Sequence, residues 1–516
     1  MTVRWSLLLI GTVLAARVGS ALAGPVDVVR DLGARVGPIV GQASTCQDIA
    51  QGRVQTIVDQ FREVIRQASP SDADRDALIR SFNGFIAEGR NRMAAAQVNC
   101  QTADGQLTEL ERSLSDQPAA PAASSIIAPY SAAASTNPTA AMPAPPVHGV
   151  TDREIRFGTV MPFGGQRREI GRQMKMGIEA AFNRINDAGG VNGRTLKLIA
   201  ADDNYDPTRT ISAMTQLYDK EQVFGFIGNI GTANTALAIP YALERRALFF
   251  GPLSGSSIVR RDPPDRYVFN FRASFAEETA AIVRYLVKLK RIPPKQIAVL
   301  TQADAFGEEG FAGVTKAFRS LNISDPVTRF NYPRNTLDVD EAINQMKAQK
   351  PPIKAMILVA TDRASAKFIE KTHDQYPGMI YTNLSVVGAT GLANELKLLG
   401  PRFTQNVIVT QGVPAVSGYS SLVLDYKNAL AKYFPGESPD YTSLEGFISA
   451  SVLIQALKQT TPLDTERLVE TLESMRSLDL GLGTKLSFGR AEHQASHKIW
   501  GTTLDETGTY QAIELE

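Results

Sequence analysis

The sequence has few of the side chains that build metal centres or disulfide-rich scaffolds. Its 516 residues include only two cysteines, two tryptophans and four histidines. Histidines that lie far apart in the chain do not form the closely spaced ligand sets of metal sites, so we expect no metal and no cofactor. The four histidines are His148, His373, His493 and His497.

The chain has no excess of charge of either sign. With 54 basic and 53 acidic side chains its net charge is +1, so we expect neither a nucleic acid nor an anionic membrane surface as a partner. The motifs of serine hydrolases, P-loop nucleotide-binding proteins and zinc peptidases are missing from the sequence, and we predict no enzyme and no catalytic residues. Pairs of adjacent arginines are dispersed and form no basic stripe: Arg167-Arg168, Arg245-Arg246 and Arg260-Arg261.

Apolar runs long enough to cross a membrane are lacking after residue 23. Residues 1–23 have the pattern of an export signal, because Arg4 precedes an apolar stretch from Trp5 to Ala16 and small residues end at Ala23. We expect cleavage near Ala23 and release into the periplasm. No cysteine follows the cleavage position, so we expect no lipid anchor there.

The two cysteines, Cys46 and Cys100, both lie in the first 116 residues. In an oxidising compartment a lone pair of cysteines most simply forms a disulfide, and two free buried thiols are the alternative.

Residues 24–116 are predicted to form a helical extension, a hairpin of two antiparallel helices joined by that disulfide. One apolar face repeats at helical spacing from Val54 to Ile65, and a second repeats from Leu78 to Met93. The SPSD sequence between them is a helix stop followed by a helix start. The extension is either a stabilising hairpin or small bundle, or an arm that binds a protein partner.

Residues 117–150 are rich in proline and alanine and are predicted to form an extended linker. In residues 151–516, short apolar segments alternate with helical patterns, which is typical of parallel sheets covered by helices on both faces. The predicted strands are Ile155–Met161, Thr195–Ala201, Val223–Ile227, Ala247–Phe250, Gln296–Leu300, Ala355–Ala360 and Val407–Thr410.

Ligands of such sheets bind at the loops that follow the carboxyl ends of the strands. After the first strand, Phe163 and Gln166 lie in a glycine-containing loop that is either a binding loop or a simple turn. After the third strand, Thr232 begins a helix whose N-terminus is either an anion site or an ordinary cap. After the fourth strand, the Ser254–Ser256 loop adds a second cluster of hydroxyl groups.

Five segments of the sequence occur in a specific order. They are Gly177–Pro207 (GIEAAFNRINDAGGVNGRTLKLIAADDNYDP), VFNFRASFAEET at 268–279, AVLTQADAFGEEG at 298–310, VTQGVP at 409–414 and SLEGFISA at 443–450. By their order and spacing, the residues from Arg153 to Glu516 resemble the type I periplasmic substrate-binding proteins of ABC transporters. This is the leucine-binding-protein-like family, whose members bind branched-chain amino acids, amides and urea.

The resemblance implies a two-lobed α/β clamshell of parallel sheets flanked by helices, preceded by the α-helical hairpin. The chain would cross between the lobes three times, near residues 273, 412 and 485. The first lobe would comprise about 151–273 and 413–484, and the second about 274–412 and 485–516. Closure around a solute would then be a hinge motion.

The resemblance also implies the ligand-binding residues. The carboxylate of the ligand would contact Thr232 and the Ser254–Ser256 loop, and Phe163 and Phe275 would provide apolar walls. The remaining contacts would come from the second lobe and from the loop after the first strand. The implied residues are Phe163, Gln166, Thr232, Ala233, Ser254, Gly255, Ser256, Phe275, Asp304, Phe306, Thr361, Asp362 and Thr390.

One position departs from the family pattern. Members that bind amino acids place an acidic residue where this chain has Thr390, and that acid pairs with the ammonium group of the ligand. Burying an unpaired ammonium is costly. Either Asp362 or Asp304 supplies the counter-charge, or the ligand has no α-amino group; Asp362 as an ordinary surface acid is the remaining alternative.

The sequence therefore predicts a periplasmic solute-binding component of an ABC importer. Its partners would be a small amino-acid-like, amide or carboxylate ligand and a permease in the inner membrane. The alternative is a ligand-sensing or partner-regulating envelope protein that uses the same clamshell and binds a protein through its helical extension.

Overall fold

The computed structural model describes residues 25–46, 48–68, 72–94, 99–115 and 147–515. The chain divides into two units, Met1–Ala140 and Ala141–Glu516. The predicted export signal and nearly all of the predicted linker lie outside the described residues. Among the helices that are described, none is both long enough and apolar enough to cross a membrane.

The first unit is helical and has a hydrophobic core of its own. The apolar face predicted from Val54 to Ile65 is largely buried, and so are Leu78 and Phe82 of the second predicted face. The rings of Phe61 and Phe82 lie 4.5 Å apart and join the two faces. The helices of this unit are α1 (Pro25–Ala43), α2 (Gln51–Ala68), α3 (Asp72–Ala94) and α4 (Cys100–Ser115).

Helices α2 and α3 form the predicted hairpin, and α1 and α4 extend it to a small bundle within the described residues. The predicted disulfide is confirmed: Cys46, between α1 and α2, is bonded to Cys100, the first residue of α4, with their Cα atoms 5.7 Å apart. Helices α1 and α3 pack at very short range. A Cβ atom at Gly41 would lie 2.1 Å from the carbonyl oxygen of Ile86, so this crossing requires glycine.

The second unit contains two sheets, each the centre of one lobe. The sheet of the first lobe has five parallel strands in the order β2-β1-β3-β4-β5. The strands are β1 (Glu154–Met161), β2 (Thr195–Asp202), β3 (Gly225–Ile227), β4 (Leu248–Phe250) and β5 (Val268–Phe269). Around this sheet lie α5 (Arg168–Asp187), α6 (Pro207–Thr215), α7 (Thr232–Glu244), α13 (Ser421–Tyr433), α14 (Tyr441–Gln459) and α15 (Thr465–Ser474).

The sheet of the second lobe has seven strands in the order β12-β11-β10-β9-β8-β6-β7. Its strands are parallel except for β11 and β12, which pair antiparallel at one edge. The strands are β6 (Ile297–Gln302), β7 (Thr328–Tyr332), β8 (Ala355–Val359), β9 (Ile380–Asn383), β10 (Val407–Gln411), β11 (Trp500–Leu504) and β12 (Tyr510–Ile513). The helices are α8 (Phe275–Arg284), α9 (Ala305–Ser320), α10 (Asp340–Lys347), α11 (Asp362–Thr372) and α12 (Ala389–Leu399).

The chain passes between the lobes after β5, after β10 and before β11. The first and third crossings are joined by backbone hydrogen bonds, because the amide of Asn270 donates to the carbonyl of His493 and the amide of Ala495 donates to the carbonyl of Asn270. The first crossing ends at α8, whose N-terminus is fixed by a capping box between Ser274 and Glu277. Short connecting segments of this kind between two lobes can act as a hinge.

The seven predicted strands correspond to β1, β2, β3, β4, β6, β8 and β10, with ends that differ by no more than two residues. Strands β5, β7, β9, β11 and β12 were not among the predictions. Strand β5 has only two residues, and β7 (TRFNY) and β11 (WGTTL) carry polar side chains among apolar ones. These segments lack the continuous apolar run that identified the others.

Candidate ligand-binding cleft

The loops after β3 and β4 bring two buried hydroxyl groups together. The chain turns at Gly231, with φ of 101°, and Thr232 then begins α7 without a side-chain cap. The Oγ1 atom of Thr232 lies 2.9 Å from the Oγ atom of Ser254, and both residues are buried. An uncapped helix N-terminus beside two hydroxyl groups is an environment that suits an anion.

The Ser254–Ser256 loop packs tightly against the second lobe. The amide of Phe275 donates to the carbonyl of Gly255 over 2.7 Å. A Cβ atom at Gly255 would lie 2.3 Å from the Phe275 ring, so glycine is required for this approach. The hydroxyl of Ser256 accepts a hydrogen bond from the amide of Ile258, so the Ser256 side chain is directed toward its own loop.

Apolar side chains from both lobes face each other beside these hydroxyl groups. Phe275 and Phe306 are buried, and their ring centroids lie 5.3 Å apart. Ile230 and Leu253 lie near them at the first-lobe side of the same small cavity. This part of the cleft therefore suits an aliphatic or aromatic group.

Asp304, one of the two acids proposed to pair with a ligand ammonium, is already paired. It caps α9 by accepting hydrogen bonds from the amides of Phe306 and Gly307. Its other oxygen accepts from Gln302 at 2.7 Å and forms an ion pair with Arg334.

Asp362, the second proposed acid, is paired with an arginine from the opposite lobe. The Nη1 atom of Arg167 lies 2.8 Å from Oδ1 of Asp362. The guanidinium also donates to the carbonyl oxygens of Val387 and Val386, each at 2.9 Å. Asp362 is 8% exposed and Arg167 is 6% exposed, so Asp362 is not an ordinary surface acid.

Thr361 and Thr390 contact protein groups in this part of the cleft. The amide of Thr361 donates to the hydroxyl of Tyr332 over 3.1 Å. The hydroxyl of Thr390 lies beside the carboxyl of Asp440, the residue that caps α14 in the first lobe, and favours the charged form of this acid. Burial raises the pKa of Asp440, and the hydrogen bonds that it accepts only partly offset this effect.

The remaining predicted residues lie at the margin of the cleft. Phe163 is half-buried, and its amide donates to Asp202. The side chain of Gln166 reaches the carbonyl of Asn335 in the second lobe at 3.5 Å. Ala233 is the second residue of α7 and is half-buried.

Three residues that the sequence-based reasoning did not select occupy the centre of the cleft: Arg167, Tyr205 and Arg334. Tyr205 has φ of 59°, an unusual value for a bulky residue, and its ring lies 4.0 Å from the Cζ atom of Arg334 and 5.7 Å from that of Arg167. Arg334 also donates to the carbonyl of Tyr205 and to Oδ1 of Asn234, both in the first lobe. Each arginine thus bridges the two lobes.

The comparisons with known proteins agree with this architecture. The model of a periplasmic binding protein family matches residues 154–509. The chain belongs to this periplasmic binding protein family. Among curated relatives, a Leu/Ile/Val-binding protein homolog 7 of Brucella melitensis is 25% identical over 345 residues, which is 62% of this chain and 81% of that relative.

Solved structures of periplasmic binding proteins share the fold. A possible leucine/isoleucine/valine-binding protein from Rhodopirellula baltica is 33% identical, with a TM-score of 0.67, over 72% of this chain and 98% of that one. A branched-chain amino acid transporter substrate-binding protein from Streptococcus pneumoniae, solved with isoleucine, has a TM-score of 0.59 over 70% of this chain and 100% of that one. At 16% identity, this second likeness concerns the fold alone.

Little free space remains in the cleft of this periplasmic binding protein. The cavity bounded by Thr232, Phe275, Phe306 and Tyr205 has a volume of about 10 Å³, room for about one water molecule. Sites for small molecules usually enclose about 300–1,000 Å³. A solute can therefore enter only when the lobes move apart.

The side chains at the centre of the cleft gave only weak signals in the sequence. Arg167 directly follows Gln166 in the loop after β1, the position at which ligands of parallel sheets bind. Arg334 lies in the loop after β7, a strand that the apolar pattern did not reveal. Position in a loop that follows a strand was thus the available sequence signal, and it could have identified Arg167 as a residue of the cleft.

Proposed function

We propose that this chain is the solute-binding component of an ABC importer and that its cleft takes a small carboxylate without an α-amino group. The observation that carries the choice of ligand is the pairing of both candidate acids. Asp362 is bonded to Arg167 and Asp304 to Arg334. The carboxyl of Asp440, which lies beside Thr390, is occupied as the cap of α14, where it accepts from the amides of Thr442 and Ser443. Membership of the periplasmic binding protein family supports the solute-binding role.

The carboxylate of the solute would bind at the N-terminus of α7. Its oxygens would accept hydrogen bonds from the hydroxyl groups of Thr232 and Ser254, which donate or accept between themselves over 2.9 Å. The helix dipole stabilises a negative charge at this end, typically by about 0.3–1 kcal/mol when exposed and by more when buried.

The apolar body of the solute would lie against Phe275 and Phe306. These rings are buried and at contact distance, so they would have to separate to admit it. Burial of an aliphatic or aromatic group of a few carbons contributes about 0.8 kcal/mol for each CH₂. The solute would thus be a short aliphatic or aromatic carboxylate.

An α-amino group on the solute would be unfavourable. Its ammonium would face hydroxyl and guanidinium groups. To form an ion pair with a carboxylate, the ammonium would have to displace Arg167 from Asp362. Breaking a buried ion pair by removing one partner costs about 3–5 kcal/mol. Amino acids should therefore bind more weakly than the carboxylates that match them in shape.

We place the protein in the periplasm, where it would deliver its solute to a permease in the inner membrane. The export-signal pattern of residues 1–23 supports this location. In this role the protein binds and releases its solute and does not transform it.

The test compares matched pairs of solutes by the melting temperature of the full secreted chain. Useful pairs are leucine with 4-methylpentanoate and phenylalanine with 3-phenylpropanoate, with the corresponding amides as controls for the carboxylate. A solute at a hundred times its Kd stabilises the folded protein by about 2.7 kcal/mol. We expect the carboxylates, and neither the amino acids nor the amides, to raise the melting temperature. A larger rise with the amino acid of each pair would contradict the proposed ligand class.

A second candidate function rests on the helical unit, which lies outside the residues matched by the family model. Its own core and disulfide suit a stable binding module for an envelope protein. Cross-linking of the full chain in cells, with and without residues 24–116, distinguishes the two functions. Recovery of a chemoreceptor, a kinase or an envelope-synthesis enzyme through those residues, without a permease, would favour regulation over import.

A further inference from the structure

The side chain of Arg167 leaves its own lobe and ends in a site formed by the other. It begins in the short turn before α5, in the first lobe. Its guanidinium makes three hydrogen bonds of 2.8–2.9 Å, all to the second lobe: to the carboxylate of Asp362 and to the carbonyl oxygens of Val386 and Val387. Hydrogen bonds to charged groups are shorter and stronger than those between neutral groups.

The second lobe shapes this site through two glycines. The two carbonyl oxygens precede Gly388, whose φ of 86° lets the chain turn directly into α12. A Cβ atom at Gly391 would lie 2.7 Å from Oδ2 of Asp362, so glycine leaves room for the carboxylate. One carboxylate and two carbonyl oxygens that converge on one point form an acceptor-only surface, which suits a planar cation with several N–H donors.

We propose that Arg167 is an internal ligand: its guanidinium fills a cation site of the second lobe, formed by Asp362 and the carbonyls of Val386 and Val387, and thereby holds the lobes closed without a solute. This inference goes beyond the proposed function, because it concerns how the lobes close and does not depend on which solute binds. It also assigns to the second lobe a specific preference for a guanidinium group.

The contact is well placed to control the cleft. Arg167 is 6% exposed and lies between the lobes beside the cavity of about 10 Å³. A solute that needs the whole cleft can bind only to molecules whose lobes have moved apart. In those molecules Arg167 has left the site, or its side chain has extended as the lobes parted. The apparent Kd of the solute is then its intrinsic Kd divided by the fraction of molecules that are open.

The test measures the distance between the lobes by spin labels, in the full chain after unfolding, dialysis and refolding to remove any solute. Labels are attached through Ala236→Cys on α7 and Glu341→Cys on α10, one exposed residue on each lobe. The two native cysteines are bonded to each other and do not react. We expect one narrow, short distance in the parent and a shift to longer, broader distances in Arg167→Ala.

Guanidinium at millimolar concentration is the probe of the cation site. It should restore the short distance in Arg167→Ala and should fail to do so when Asp362→Asn is added. Arg168→Ala, which removes the neighbouring exposed arginine, is the matched control and should behave as the parent. If Arg167→Ala does not fold, Asp362→Asn alone keeps the shape of the site and should also broaden the distances.

Two results would overturn the proposal. A parent-like distance distribution in Arg167→Ala would show that this side chain does not hold the lobes closed. An opened Arg167→Ala that guanidinium leaves open would refute the cation site. Because no solute is present in these samples, either result leaves the proposed solute binding untouched, and that function stands or falls on the melting experiment.

Discussion

At the scale of single residues, charge pairing across the cleft determines what the cleft can bind. Arg167 of the first lobe pairs with Asp362 of the second lobe. Arg334 of the second lobe pairs with Asp304 of its own lobe and donates to Asn234 of the first lobe. Asp362 and Asp304 are therefore satisfied by the protein itself. A neutral or anionic solute does not compete with the arginines for these two acids, whereas a cationic solute does.

His493, at the third crossing between the lobes, is a second residue whose surroundings shift its pKa. It is 4% exposed, stacks on the ring of Phe269 at 3.8 Å and is held by the carbonyl of Val268 through Nδ1. Burial lowers the pKa of His493, although Glu473, 3.5 Å from Nε2, acts in the opposite direction. The folded protein thus binds a proton at this histidine less readily than the unfolded chain.

This difference predicts how the stability depends on pH. A histidine whose folded pKa lies below its unfolded value of about 6.5 contributes its full stability above that pH, and the contribution is lost as the pH falls. We expect the melting temperature to fall between about pH 7.5 and about pH 5.5, and His493→Gln to flatten this slope. His148→Gln, at an exposed histidine, is the control. Equal slopes in His493→Gln and the parent would contradict the assignment.

The residues of the cleft could be predicted only in part. Thr232 and Ser254 follow predicted strands, so their meeting could be anticipated from the topology of parallel sheets. The pair of Arg167 and Asp362 joins residues 195 positions apart in two different lobes. Such a contact depends on the disposition of the lobes, which local sequence patterns do not encode.

At the scale of elements, the helical unit illustrates what apolar periodicity can and cannot predict. The faces on α2 and α3 repeat at helical spacing and were readily predicted. Helix α1 contains Pro38 and three glycines, and glycine and proline are weak helix formers. It is held in place by packing, since Gly37 and Gly41 allow it to approach α3 closely.

The disulfide of this unit should provide much of its stability. Cys46 and Cys100 are separated by 54 positions, and closing a loop of that length stabilises the folded state by roughly 4 kcal/mol in the chain-entropy model. We predict that Cys46→Ala with Cys100→Ala lowers hydrogen-exchange protection in α1–α4 by roughly a thousandfold if opening is global. The peptides of β1–β12 in the same sample are the internal control. Unchanged protection in α1–α4 would mean that helix packing alone stabilises the unit.

In the sheets too, some strands can be predicted from their own residues and others depend on distant parts of the chain. Continuous apolar runs predicted β1 and β8, whose strands are buried on both faces. Strands β11 and β12 are assembled on the antiparallel edge of the second sheet only after the chain has returned from the first lobe. Their place depends on the third crossing, which their own residues do not encode.

At the scale of the whole chain, the second unit is a two-lobed periplasmic binding protein with three crossings between its lobes. Two arginines connect the lobes, and the Ser257 hydroxyl adds a further contact of 2.8 Å to Glu309 of the second lobe. Affinity for a solute is then the difference between the contacts that it makes and the contacts between the lobes that it displaces.

The most direct test of this account is a calorimetric titration of the carboxylate that gives the largest rise in melting temperature. We expect one solute per chain for the parent, and an affinity at least about 30-fold weaker for Thr232→Ala combined with Ser254→Ala, since each lost hydrogen bond to a charged group is worth roughly 1 kcal/mol or more. The double variant should fold as the parent does, and Ser212→Ala, at an exposed serine of the same lobe, should bind normally. An unchanged affinity in the double variant would contradict binding in this cleft.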